Sequence, residues 1–134
     1  MSDISPHSYL KIVVVDDSDF SRSVIVKMLK EAEFNVVGEA SSASSAMQVI
    51  KDKKPHVVIT DIVMPEISGI ELTEKINQDY DDTYVIVVSS LSQEHVVLEA
   101  IGAGAADFIS KPINSQQLID SLEKIGSQIK KDSV

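Results

Sequence analysis

The chain has 134 residues, 43% of them hydrophobic and 25% charged, with a formal net charge of −9 and no cysteine. That length suits one domain with a single core; disulfides and thiolate metal sites are excluded, and the acidic balance argues against binding nucleic acid, which needs clustered Lys and Arg. No apolar run approaches the roughly 18 residues of a membrane span, and Met1 to Ser8 lacks the basic and apolar regions of a secretory signal, so a cytoplasmic protein without membrane contact is expected.

From Leu10 onward, short apolar runs alternate with amphipathic stretches, the pattern of βαβ units feeding a parallel sheet. The first predicted strand is Lys11 to Val15. The helix after it sets Ile25, Met28, Leu29 and Ala32 at i, i+3, i+4 and i+7, with Arg22, Lys27, Lys30 and Glu31 on the solvent side. Next come a strand from Asn35 to Glu39, a serine-rich loop from Ser41 to Ser45, a helix from Ser44 to Lys53 and a strand from Val57 to Thr60. A helix from Ile70 to Gln78, a strand from Tyr84 to Ser89 and a helix from Gln93 to Ala103 follow. The last unit is a strand from Ala106 to Ile109 and a helix from Ser115 to Lys130, striped with Leu118, Leu122, Ile125 and Ile129.

The first, third and fourth strands are nearly all apolar and β-branched, which places them mid-sheet, covered on both faces. Ser18, Ser68, Ser92 and Asn114 are the expected helix caps. The expectation is an α/β, doubly wound, flavodoxin-like fold, whose five-unit version has strand order 2-1-3-4-5. The folded domain would span residues 10–130, between short tails at 1–9 and 131–134, with nothing resembling a further domain after it.

Charged residues gather where these strands end. Asp16 and Asp17 follow the first strand, Asp61 the third, and Lys111-Pro112 the fifth, so a parallel sheet brings them to its carboxyl edge, where such sheets bind ligands. Carboxylates crowded there repel one another unless a cation intervenes, and an all-oxygen set suits a hard divalent ion such as Mg²⁺. His7, His56 and His95 show no zinc-ligand spacing. Taken singly, a strand-end aspartate is an ordinary turn former, Lys111 an ordinary solvated lysine and Ser89 an ordinary strand-end hydroxyl; the combination is what points to chemistry.

Together, Asp16-Asp17, Asp61 with Met64-Pro65 and Gly69 behind it, Ser89, and Lys111-Pro112 resemble the receiver domain of two-component response regulators, over about Leu10 to Ile129. That family illustrates the 2-1-3-4-5 order, so resemblance and expected order are not independent. The resemblance implies that Asp61 is the phosphoacceptor. It implies that Asp17, Asp61 and the backbone carbonyl of Val63 ligate Mg²⁺, with Asp16 acting through a bound water, and that Ser89 and Lys111 contact phosphoryl oxygens. Pro112 falls at the family's cis proline. Phe108 falls at its switch aromatic, without the hydroxyl of the tyrosine frequent there.

The resemblance further implies a phosphoryl donor that is a sensor histidine kinase or a histidine phosphotransfer protein. It implies a protein target on the face of the fourth helix, fifth strand and fifth helix, and a monomer or a phosphorylation-dependent dimer. Val63 and Leu91, two residues beyond Asp61 and Ser89, lie at positions flanking the path of hydrolytic water, and being apolar they should slow hydrolysis. Val88 to Ser92 and Gly104 to Phe108 also resemble receivers joined to chemotaxis methylesterases. A Mg²⁺-dependent phosphatase or phosphotransferase is the rival, but such enzymes usually carry an acid two residues after the nucleophile, where this chain has Val63. A flavin or nucleotide carrier would want a phosphate-cradling loop after the first strand, where Asp16-Asp17-Ser18-Asp19 would repel a phosphate.

Overall fold

The computed structural model describes residues 9–132. Five strands, β1 (Lys11–Val15), β2 (Asn35–Ala40), β3 (Val57–Thr60), β4 (Tyr84–Ser89) and β5 (Asp107–Ser110), form one parallel sheet ordered β2-β1-β3-β4-β5. Five helices alternate with them: α1 (Asp19–Glu31), α2 (Ala43–Lys53), α3 (Gly69–Asp79), α4 (Glu94–Gly102) and α5 (Ser115–Asp132). The expected tail residues 1–8 and 133–134 lie outside the described residues. No helix among the described residues is long and apolar enough to cross a membrane.

The side-chain period of two along each strand divides the core into two layers. Ile12, Val14, Ile59, Ile86, Val88 and Ile109 face Ile25 and Leu29 of α1 and Leu118, Leu122 and Ile125 of α5. Val13, Val15, Val58, Val85 and Val87 face Ala46 and Ile50 of α2, Leu72 and Ile76 of α3 and Ala100 of α4. The three central strands are buried on both faces, which is why they read as continuous apolar runs. Leu122 is wholly buried; its truncation to Ala should cost about 2–5 kcal/mol.

Three expected caps form: the Ser18 and Ser68 hydroxyls accept from the Ser21 and Glu71 amides at 3.2 Å, and Asn114 Oδ1 accepts from Gln117 N at 3.1 Å. The fourth is corrected. α4 starts one residue later than a Ser92 cap requires, so Gln93 holds the cap position and no side chain bonds the first turn. The serine run is also more ordered than a loop: Ser42 and Ser45 exchange amide-to-hydroxyl bonds in a capping box, and α2 begins at Ala43. β5 is displaced by one residue, to Asp107–Ser110, because its pairing with β4 runs from Ile86 opposite Asp107 to Ser89 opposite Ser110.

Arg22 does not point to solvent as the helical wheel suggests. Its side chain is only 16% exposed and bridges Asp19 at 2.6 Å and Glu39 at 3.1 Å, since the start of α1 lies against the end of β2.

Candidate functional site

Backbone pairing continues just past the strands and places the acids. Asp16 N donates to Ala40 O at 3.0 Å and Asp61 N donates to Val15 O at 3.1 Å, so both residues are held in the sheet's carboxyl edge beyond β1 and β3. Asp16 is fully buried, Asp61 partly exposed and Asp17 exposed, and the three present carboxylate oxygens within 4.8 Å of one another.

Lys111 reaches into this cluster from the loop after β5. Its backbone N–H donates to Ser89 O at 3.0 Å, and the Lys111–Pro112 peptide is cis, as the resemblance implies. The ammonium donates to Asp61 Oδ2 at 3.0 Å, Asp16 Oδ2 at 3.2 Å and Ser21 Oγ at 3.2 Å, which occupies its three protons. Burial alone would lower its pKa, but the neighbouring carboxylates of Asp61 and then Asp16 outweigh that and hold it above the ordinary lysine value. Lys111 is therefore charged at neutral pH.

The remaining oxygens are used with economy. Asp16 Oδ1 accepts from Ser18 N at 2.9 Å, and Asp61 Oδ1 accepts from Ile62 N at 2.6 Å. Three carboxylates less one ammonium leave two negative charges in an all-oxygen cluster, the balance a hard divalent cation would neutralise, so the residues present fit Mg²⁺. The loop behind Asp61 turns tightly. Gly69 N donates to Ile62 O at 2.7 Å, and a Cβ on Gly69 would lie 1.8 Å from Asp61 O, so no other residue fits without displacing the backbone of Asp61.

Ser89 is buried at the end of β4, and its hydroxyl oxygen accepts from Leu91 N at 3.1 Å, leaving its own proton to donate. Phe108, on the edge strand β5, is half-buried against the layer that includes Val96 and Ala100 of α4. Val63 and Leu91 stand on the rim, 61% and 38% exposed.

The structure thus brings together Asp16, Asp17, Asp61 and Lys111, with Ser89 joined to Lys111 through the backbone. It adds two residues that sequence reasoning missed. Ser21 receives the third proton of Lys111, and Arg22 Nη1 donates to the backbone O of Asp16 at 2.7 Å. The hydrogen bond to Asp19 raises the Arg22 pKa most; desolvation opposes it and Glu39 adds to it. Their only signal in the sequence is their place in the first turns of α1, directly behind Asp16-Asp17.

The sequence model for "Response regulator receiver domain" matches residues 12–123. Among curated proteins, the chemotaxis protein CheY of Thermotoga maritima is 36% identical over 115 residues, covering 86% of this chain and 96% of that protein. The response regulator domain of Thermotoga maritima CheB superposes with a TM-score of 0.77 at 36% identity, covering 90% of this chain and 96% of that one. The CheX–CheY–BeF3–Mg²⁺ complex from Borrelia burgdorferi superposes with a TM-score of 0.82 at 25% identity, covering 87% of this chain and 88% of that one.

Proposed function

The chain belongs to the response regulator receiver domain family, a family of phosphoacceptor switches, and we propose that Asp61 is its acceptor, taking a phosphoryl group from a histidine on a sensor kinase or phosphotransfer protein. The observation that carries this reading is the ammonium of Lys111 held at hydrogen-bond distance from both Asp61 and Asp16 at the carboxyl edge of the sheet.

A carboxylate oxygen of Asp61 attacks phosphorus in line as the P–N bond to the donor imidazole breaks, and the imidazole leaves with the bond's electron pair. The transition state is loose, so positioning and positive charge on the equatorial oxygens matter more than nucleophilic strength. Lys111 supplies one such charge, and the Ser89 hydroxyl donates to another oxygen. Asp17, Asp61 and the Val63 carbonyl would hold Mg²⁺, with Asp16 linked through water; bound there, the ion supplies further positive charge to the transferred group. The Borrelia CheY of similar fold is described with beryllofluoride and Mg²⁺, which supports this assignment. Val63 has no proton to give a leaving group, which supports a switch over a turnover cycle.

Phosphorylation draws Ser89 and Phe108 inward and alters the face of α4, β5 and α5, where a target protein docks as a shift between pre-existing states. Leu98 and Ile101, 63% and 47% exposed, give α4 apolar surface of its own. Amide spectra of the ¹⁵N-labelled chain test the switch. Beryllofluoride with Mg²⁺ should shift resonances of Ser89, Leu91, Phe108 and α4 in the wild type and leave Asp61→Asn unchanged; identical shifts in both proteins would remove Asp61 from the mechanism.

A further inference from the structure

Between Asp61 and α3 the chain crosses the carboxyl edge as an irregular loop, and one residue of it is conformationally unusual. Glu66 has φ of +77°, a backbone state that residues with a Cβ rarely adopt unless their surroundings enforce it. The enforcing contact is visible. Its Oε1 accepts from the backbone N–H of Ser44 at 2.9 Å and its Oε2 accepts from the Ser44 hydroxyl at 2.9 Å. Ser44 is the second residue of α2, whose first turn contains no acidic residue of its own, so a carboxylate from another element takes the place where helical N–H groups and the helix dipole favour an anion.

The rest of the loop is held mainly at its ends. Ile62 N donates to Asp61 Oδ1 and Gly69 N to Ile62 O, while Ile67 N donates to Pro65 O within the loop and the Thr60 hydroxyl contacts Met64 Sδ at 3.8 Å. Among the described residues, no other hydrogen bond ties residues 63–66 to a neighbouring helix. Packing does not fix Val63 either, because its side chain is 61% exposed.

We infer that Glu66 is a positioning residue: its carboxylate, seated on the first turn of α2, fixes the backbone of the β3–α3 loop and with it the Val63 carbonyl that the reading above assigns to Mg²⁺. The inference rests on that reading. The two bonds from Ser44, the backbone one first, hold Glu66 below the ordinary glutamate pKa, which keeps it ionised at neutral pH.

Glycine separates the clamp from the backbone state, because it adopts positive φ freely but has no carboxylate. Glutamine keeps an acceptor for the Ser44 N–H and is the conservative rescue. Mg²⁺ titrations followed by amide shifts, with melting temperatures and amide exchange measured on the same samples, decide the matter. Glu66→Ala and Glu66→Gly should both bind Mg²⁺ about tenfold more weakly, the low end for losing a group that orients a metal ligand, and should exchange the Val63, Met64 and Ile67 amides faster. Glu66→Gln should recover most of the affinity. A Glu66→Gly protein that binds like the wild type would overturn the inference, since backbone conformation alone would then suffice. So would a Glu66→Ala protein that melts lower yet binds Mg²⁺ unchanged, since the carboxylate would then only cap α2. A wild type that binds no Mg²⁺ would remove the reading of the metal site and the role of Glu66 with it, a failure visible before any variant is made.

Discussion

The Lys111 ammonium lies 3.0 Å from Oδ2 of Asp61, so the carboxylate proposed as the phosphoacceptor is already paired with a cation. The same ammonium also holds the fully buried Asp16 at 3.2 Å, so a divalent ion at this cluster would compete with it for Asp61 and, through water, for Asp16.

Replacing Lys111 by Met should therefore move two measurements in opposite directions. Mg²⁺ affinity should rise about tenfold, or about 1.4 kcal/mol, a fraction of the about 4 kcal/mol that unit charges 4 Å apart exchange at an effective dielectric of about 20. The metal-free protein should lose about 1–3 kcal/mol, because a buried carboxylate loses its charged partner. Calorimetric titration and urea unfolding check the pair.

Asp17 is the exposed member of the cluster, so its removal tests the metal with little damage to the core. Mg²⁺ at ten times its dissociation constant should stabilise the wild type by about 1.4 kcal/mol, and Asp17→Ala should show no such gain. Without Mg²⁺ the variant should melt slightly higher, having lost one like charge. Thermal melts with and without Mg²⁺ measure both effects.

What could be read in advance follows from where each feature is encoded. The continuous apolar runs at Ile12 to Val15 and Val57 to Ile59 declare buried parallel strands, and Asp16, Asp61 and Lys111 stand directly after strands, so their convergence follows from topology. Arg22, Ser21 and Glu66 were not legible. Their partners, Asp16 O, Lys111 and Ser44, lie on other elements, and no local period marks a polar contact between a helix and a distant loop. Ser92 misled as a cap because α4 begins one residue later, at a boundary that local residue preference does not fix.

At the opposite edge of the sheet, His56 Nδ1 accepts from the backbone N–H of Lys11 at 3.0 Å, which requires that nitrogen to be unprotonated. Desolvation, then the charge of Lys11, lowers the His56 pKa. A lowered folded-state pKa means that the unfolded chain takes up the proton first as pH falls. The stabilisation is therefore complete above the ordinary histidine value of about 6.5 and is lost as pH drops through the folded-state value. Between pH 7.5 and 5.5 the wild type should lose more stability than His56→Asn, whose Oδ1 can accept the same bond without titrating. Urea unfolding at the two pH values measures the difference.

The rim residues bear on lifetime. Val63 and Leu91 offer no hydrogen bond to an attacking water, so the aspartyl phosphate should hydrolyse slowly. Val63→Asn with Leu91→Glu should accelerate release by up to about 10²-fold, the scale of a water-positioning group. Phosphate-release kinetics on the two proteins check this; an unchanged or slower rate in the double variant would refute the shielding role.

Intact-mass spectrometry after incubation with acetyl phosphate and Mg²⁺ tests the central claim most directly. The wild type should gain a single phosphoryl group that hydroxylamine removes, as expected of an acyl phosphate, and Asp61→Asn should gain none. Equal labelling of both proteins, or a hydroxylamine-stable adduct on the wild type, would contradict the assignment of Asp61 as the phosphoacceptor.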